Sequence, residues 1–144
     1  PEHHRRILEL NTATIESRLA SVNRLVAAGF EVHLNLSPIV VTEKFAAEYR
    51  DLLHLIDNTL TPEAKAQLAY EIIFLTHSAS LFESTQVNNP KAHTMMVEGP
   101  LQLEPKWNKP SVLSYSRSDK TTLKAWLLKK IKAITPYAIV RYCF

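Results

Sequence analysis

The sequence predicts an α/β protein built on a parallel β-sheet, and three observations support this prediction. Helical and extended patterns alternate in the order helix, strand, helix, strand, long loop, helix, strand, which is typical of parallel α/β folds. The strand predicted over Leu68–Leu75 is almost continuously apolar, which indicates burial on both faces. The pattern opens on a helix and holds too few strands to close a barrel, so we expect a strand to precede it.

The first helix and the first strand have clear periodicities. Residues 13–28 place apolar side chains on one helical face. Thr12 or Thr14 can cap the start of this helix, and Gly29 suits its end. Residues 31–37 then alternate between apolar and polar side chains, as a strand does. Polar side chains near the carboxyl end of such a strand, such as Ser37, are site candidates in a parallel barrel.

The middle of the chain predicts a helix, a helical turn and a second strand. The helix covers residues 43–58 and carries an apolar stripe. Thr61 followed by Pro62 predicts the start of a short helical turn. Glu71 interrupts the strand Leu68–Leu75. A carboxylate in a buried strand needs a partner or a wet cavity, so Glu71 is a candidate for bonding a ligand or a neighbouring lysine.

The last third begins with a long loop and ends with a helix and a strand. Residues 76–118 contain four X-Pro turn signals, and we expect them to be mostly irregular. A loop of this length is usually functional or disordered. A helix is predicted over about residues 120–135 and a strand over Tyr137–Cys143, so that a helix-strand unit at about 120–143 closes the chain.

Composition excludes several classes of protein. The sequence predicts no signal peptide and no membrane span. Cys143 is the only cysteine, which excludes an intramolecular disulfide and favours the cytoplasm. No phosphate-binding glycine loop, zinc-protease motif or serine-hydrolase motif occurs. His3 and His4 are adjacent and lack the spacing of metal ligands, so we predict no metal site.

Charge is distributed unevenly along the chain. Residues 101–144 hold nine Lys/Arg and two Asp/Glu, a net charge of +7, whereas residues 1–100 carry −4. This asymmetry predicts either a surface that faces a polyanion or simply a solvated basic helix face.

Several short stretches together resemble the spore photoproduct lyase family of radical S-adenosylmethionine (radical-SAM) enzymes. They are Ile15-Glu-Ser-Arg-Leu19, Ala27-Ala-Gly-Phe30, Leu36-Ser-Pro-Ile39, Glu48-Tyr-Arg50, Glu71-Ile-Ile-Phe-Leu-Thr-His77, Asn89-Pro-Lys-Ala92 and Val140-Arg-Tyr-Cys-Phe144. They occur in the family's order over nearly the whole chain. The stretches at 71–77 and 89–92 look like the branch found in bacteria that do not form spores.

The resemblance implies that residues 1–144 are the C-terminal half of a partial (β/α) barrel of the radical-SAM type. In the family, a C-x3-C-x2-C loop holds a 4Fe-4S cluster that binds S-adenosylmethionine, and the resulting radical reverses a thymine dimer in DNA. Such a cluster needs thiolate ligands, and this chain has one cysteine. The resemblance therefore implies that cluster ligands are absent from this chain and that its partners are DNA and the missing N-terminal half of the barrel.

The resemblance also implies candidate site residues, although none is assigned as catalytic. Near the cofactor it suggests Ser37, Pro38, Ile39 and Glu71. Near the DNA it suggests His77, Lys106, Trp107, Lys109, Tyr115 and Arg117. The segment after Lys109 departs from the spore enzymes, because Pro110-Ser-Val-Leu113 replaces a glycine-rich Tyr-Gly-Ile-Gly stretch. This departure puts the dimer substrate in question, whereas contacts of Lys109 and Arg117 with the DNA backbone tolerate such changes.

Three functions remain open from the sequence. The first is the C-terminal portion of a radical-SAM lyase that repairs DNA. The second is a non-catalytic nucleic-acid-binding module that uses the basic segment with Trp107 and Tyr115. The third is an inactive fragment with an exposed sheet edge.

Overall fold

Helices and strands alternate along the residues that the structure, a computed structural model, describes: 1–99, 101–104 and 112–144. The helices are α1 (Glu2–Leu8), α2 (Ile15–Ala27), α3 (Phe45–Thr59), α4 (Pro62–Ala66), α5 (Ala79–Asn88), α6 (Pro90–Val97) and α7 (Arg117–Ile134). The strands are β1 (His33–Ile39), β2 (Ala69–Phe74), β3 (Thr76–Ser78), β4 (Leu101–Glu104), β5 (Val112–Tyr115) and β6 (Ile139–Cys143). Among these residues, no helix is long and apolar enough to span a membrane.

The larger sheet is parallel, which confirms the predicted fold class. Its strands lie in the order β1-β2-β6, and both neighbouring pairs are parallel. In the register, Asn35 lies opposite Glu71, which in turn lies opposite Tyr142. A smaller antiparallel sheet has the order β3-β5-β4. Strand β3 follows β2 after one residue, so the smaller sheet starts where the larger one ends.

Helices α2, α3 and α7 pack against one face of the parallel sheet. Tyr70, Ile72 and Phe74 alternate along β2, are buried, and share one core with side chains from these three helices. The opposite face is exposed at Asn35, Ser37 and Arg141. Alternate residues of a strand point to opposite faces, so the sheet has an apolar face under the helices and an open polar face.

Side-chain caps explain where several helices begin. Thr14 accepts the Ser17 N–H at the start of α2, and Thr61 accepts the Ala64 N–H before Pro62 opens α4. Both caps were predicted from the sequence, and they satisfy backbone donors that have no partner within the helix. Gly29 has a positive φ of 88° immediately after α2, as predicted for its helix-terminating position.

The segment that leaves β1 joins three parts of the fold. Val40 and Val41 are buried, and their backbone N–H groups donate to the hydroxyls of Tyr49 in α3 (3.1 Å) and Tyr115 in β5 (2.8 Å). A Cβ added at Gly99 would overlap the carbonyl oxygen of Val41. Val40 and Val41 therefore join the parallel sheet to three other parts of the fold, which are α3, the smaller sheet and the end of α6.

The prediction of a long irregular loop over residues 76–118 is wrong for much of that range. The described part of it contains β3, α5, α6, β4, β5 and the start of α7. Ser78 caps α5, and Asn89 caps α6 with Pro90 at its first position. Asn89-Pro90 was interpreted as a turn although it starts a helix. Helix α5 has no buried residue, so its sequence lacks an apolar stripe.

The other boundary errors are smaller. Helix α7 begins at Arg117 rather than near residue 120, because Ser116 accepts the Asp119 N–H and caps it. Helix α1 was not predicted. It buries only His4 among its seven residues, and this gives little periodicity to detect.

Substituting the two glycines tests the close approach of Gly99 to Val41. We expect Gly99→Ala to lower the free energy of unfolding by about 2 kcal/mol or more, because the added Cβ must displace backbone. Gly29→Ala is the control: it has free space around the Cβ and a positive φ, so we expect a cost of about 1 kcal/mol. Urea denaturation measures both. Equal costs at the two positions would contradict the packing described here.

Candidate functional site

The carboxyl ends of the three parallel strands lie at one edge of the sheet. Strands β1, β2 and β6 end at Ile39, Phe74 and Cys143, and the Phe144 N–H and carbonyl bond to Ile72 and Phe74 beside them. In parallel α/β folds, this edge is where ligands bind. The predicted site residues lie at different distances along the strands from this edge.

Ser37, Pro38 and Ile39 line a cavity of about 140 Å³ along β1, together with His4 and Tyr49. Ser37 and Pro38 are exposed and joined by a cis peptide bond. Ile39 is only 1% exposed, and its carbonyl accepts the Leu75 N–H at 3.0 Å. Its side chain belongs to the core, and the cofactor contact expected for Ile39 stays a prediction.

His4 is a buried polar group at this cavity, a position that its sequence pattern did not indicate. Its Nε2 lies 3.0 Å from a Glu48 carboxylate oxygen, to which the Thr42 hydroxyl also donates at 2.8 Å. Burial lowers the pKa of His4, which favours the neutral ring. Its Nδ1 has no hydrogen-bond partner among the described residues.

Glu71 lies near the amino end of β2, on the open polar face. One carboxylate oxygen accepts from Arg141 (3.0 Å) and the other from the Tyr142 hydroxyl (2.8 Å). The hydrogen bond to Glu71 raises the pKa of Tyr142. The sequence predicts a ligand or a neighbouring lysine as the partner of Glu71, whereas the structure shows a neighbouring arginine. Both carboxylate oxygens thus accept hydrogen bonds within the fold, and the contact of Glu71 with a cofactor stays a prediction.

Arg141 extends this network to β1. Its guanidinium also lies 2.6 Å from Nδ1 of His33, whose Nε2 is 3.0 Å from a carboxylate oxygen of Glu31. A neutral His33 that accepts at Nδ1 and donates at Nε2 satisfies both contacts. The polar side chains near the amino ends of all three strands are thus paired with one another.

His77 packs within the smaller sheet and α5. It lies opposite Leu113 in the pairing of β3 with β5, and its ring meets the Phe82 ring edge-on at 6.3 Å. Its Nε2 lies 3.4 Å from the Thr85 hydroxyl, and burial lowers its pKa. Its contact with substrate stays a prediction.

Tyr115 is buried at the end of β5, and its contact with substrate stays a prediction. It is 0% exposed, and its hydroxyl accepts the Val41 N–H. Burial raises its pKa to about 12. The other predicted residues of this segment, Lys106, Trp107 and Lys109, lie outside the described residues.

Arg117 is exposed at the first position of α7, beside the carboxyl edge of the sheet. Lys120 and Lys124 follow it three and seven residues later, and all three side chains line a second cavity, at the carboxyl edge of the sheet. Both lysines contribute to the net charge of +7 over residues 101–144, and their spacing places them on one helical face. Among the described residues, no group of three or more His, Cys, Asp or Glu side chains could hold a metal ion.

The family comparison and the structural comparison both find spore photoproduct lyase. The sequence model of the family described as spore photoproduct lyase matches residues 2–144. The chain is similar to the structure of spore photoproduct lyase complexed with dinucleoside spore photoproduct, with a TM-score of 0.85, 18% identity, and coverage of 97% of this chain and 41% of that chain. No curated protein sequence matches significantly.

A second similar structure is a double mutant of spore photoproduct lyase with bound AdoMet and dinucleoside spore photoproduct. Its TM-score is 0.81 at 19% identity, with coverage of 93% of this chain and 39% of that chain. The chain thus spans about two fifths of the length of the structures it matches. At this identity the likeness establishes the fold, here that of the C-terminal part of those structures.

A double-mutant cycle tests the pairing between Glu71 and Arg141. We expect Glu71→Gln and Arg141→Gln to show a coupling of about 0.5–1 kcal/mol in the free energy of unfolding, because Glu71 is mostly buried whereas Arg141 is half exposed. Added salt should reduce it. The exposed pair Arg50 and Asp51, 3.7 Å apart, is the control and should show almost no coupling. Equal coupling in the two cycles would contradict the network.

Proposed function

The chain belongs to the spore photoproduct lyase family, and from this premise we propose that it forms the C-terminal part of a radical-SAM lyase that repairs DNA by reversing thymine-dimer lesions. The match over residues 2–144 is the observation that carries the proposal. The finer assignment, to the branch from bacteria that do not form spores, remains a prediction from the sequence.

The sheet geometry supports a place in a larger barrel. Strands β1, β2 and β6 are parallel and lie in sequence order, with helices on the apolar face and polar groups on the other. In a (β/α) barrel, the helix-covered face is outside and the other face lines the interior. Asn35, Ser37 and Arg141 would therefore face the interior, which an N-terminal half would complete on the free side of β1.

The residues of this chain fit S-adenosylmethionine but not the 4Fe-4S cluster. Cys143 is its only cysteine and is buried, and burial raises the pKa of its thiol, so the residues present do not fit a 4Fe-4S cluster. The exposed hydroxyl of Ser37 and the adjacent Pro38, near the carboxyl end of β1, fit contacts with S-adenosylmethionine. Bound to a cluster held elsewhere, S-adenosylmethionine would supply the radical, and this chain would contribute part of its binding surface.

DNA is the proposed partner. Residues 101–144 carry +7, and basic side chains are what a phosphate backbone requires. The two similar structures bind dinucleoside spore photoproduct, a small part of such a partner.

The coding sequence upstream of Pro1 tests the function first. We expect an in-frame C-x3-C-x2-C motif. The protein that includes it, reconstituted anaerobically with iron, sulfide, S-adenosylmethionine and a reductant, should convert dinucleoside spore photoproduct to the thymine dinucleotide, as measured by chromatography and mass spectrometry. Replacement of the three motif cysteines by alanine is the control and should abolish turnover. Absence of the motif, or a loaded protein without turnover, would refute the proposal.

Ser37 provides a narrower test in the same reconstituted protein. We expect Ser37→Ala to weaken S-adenosylmethionine binding about fivefold, the effect of losing one hydrogen bond of about 1 kcal/mol. Ser17→Ala, on the exposed surface of α2, is the control and should leave the affinity unchanged. Calorimetric titration measures both, and an unchanged affinity for Ser37→Ala removes Ser37 from the cofactor surface.

A further inference from the structure

A cavity of about 280 Å³ lies at the carboxyl edge of the parallel sheet, between the strand ends and α7. Phe74, Cys143 and Phe144 line it from the sheet, and Arg117, Lys120 and Lys124 line it from the helix. Its walls thus combine three cationic side chains with aromatic rings and contain no carboxylate side chain among the described residues. We call it the edge cavity.

Helix geometry explains the concentration of positive charge. At about 100° per residue, Arg117, Lys120 and Lys124 fall within roughly 60° of arc. Asp119, the only acidic residue of α7, lies on the opposite side, where its N–H and carboxylate bond to the Ser116 hydroxyl. The sequence of α7 therefore directs the cations toward the edge cavity and the carboxylate away from it.

Most of the donors at the edge cavity are available to a ligand. Lys124 donates to the Cys143 carbonyl at 2.8 Å, and an ammonium group has three donors. The side chains of Arg117 and Lys120 form no hydrogen bond or ion pair within the described ranges. Uncompensated cations at one concave site favour an anion with several acceptor oxygens, such as a phosphate group.

An exposed aromatic ring lies at the rim of the edge cavity. Phe144 is 70% exposed, and its ring stacks on Tyr142 with centroids 5.1 Å apart and an angle of 26° between the planes. The Tyr142 hydroxyl is fixed by Glu71, so this contact supports the ring from below. A supported, exposed ring beside a cationic groove is the combination that binds single-stranded nucleic acid, with bases stacked and phosphates paired.

We propose that the edge cavity binds a backbone phosphate of a DNA strand through Arg117, Lys120 and Lys124, with a neighbouring base stacked on Phe144. This inference rests on the proposed function in taking DNA as the partner, and it extends that function by locating a contact with the backbone of the strand. The phosphate fixes the position of the strand and carries no sequence information.

The test measures binding of a fluorescent single-stranded oligonucleotide to the 144-residue chain by anisotropy across a range of salt concentrations. We expect the double variant Arg117→Gln with Lys120→Gln to bind about tenfold more weakly near physiological salt, and its log-log salt slope to fall by about 0.7, the value for one lost phosphate contact on a single strand. Phe144→Ala should weaken binding without changing the slope.

The matched control is the double variant Lys129→Gln with Lys132→Gln. It removes the same charge from the same helix, from residues that do not line the edge cavity. Its affinity should fall by less than about twofold and its salt slope should stay nearly unchanged. Circular dichroism checks that all variants keep the wild-type helix content, since every substituted side chain except Lys120 is exposed.

Three outcomes would overturn the inference. The wild-type chain does not bind the oligonucleotide, or the control pair weakens binding as much as the cavity pair, or inorganic phosphate at constant ionic strength displaces the strand fully at low millimolar concentration. The third would assign the edge cavity to a small phosphorylated ligand. Lesion reversal is measured separately in the reconstituted protein, so failure of this inference is distinguishable from failure of the proposed function.

Discussion

The fold depends on satisfying two backbone N–H groups that are buried where the chain leaves β1. Val40 and Val41 have 0% and 6% exposure, so water cannot bond their amides, and a buried donor without a partner costs about 1–3 kcal/mol. Two tyrosine hydroxyls accept from them, one from α3 and one from β5. Each hydrogen bond stabilises the fold only when the element that carries the tyrosine is packed against the end of β1. The bonds therefore couple the two sheets to each other.

This coupling also positions the candidate site. Tyr115 is held by Val41, and only Ser116 separates it from Arg117 at the start of α7. The start of α7 is therefore fixed relative to the end of β1, and the Lys124 bond to the Cys143 carbonyl fixes the same helix relative to the end of β6. These hydrogen bonds to the ends of both outer strands hold the cations of the edge cavity against the sheet. Neither bond uses the guanidinium of Arg117.

Much of the fold, and less of the site, could be predicted from the sequence. Local patterns located α2, α3 and β2, because each buries one face and shows it as periodicity. Helix α5 buries nothing, so no pattern marked it. Tyr115 resembled a stacking aromatic because it lies among basic residues, and only its contact with Val41, 74 positions away, identifies it as a core residue. The arginine partner of Glu71 is 70 positions away, and periodicity carries no information on such pairs.

The charged groups near the two ends of the parallel strands differ in a way that bears on function. Near the amino ends, Arg141 is paired with Glu71 and contacts His33, so its charge is neutralised within the fold. At the carboxyl edge, Arg117 and Lys120 have no such partner within the described residues, although residues 1–100 carry a net charge of −4. Cations gathered on one face repel one another, and pairing would lower that energy. The fold pairs Arg141 with an internal carboxylate but leaves Arg117, Lys120 and Lys124 together. These three cations are therefore available to an anion that the fold itself does not supply.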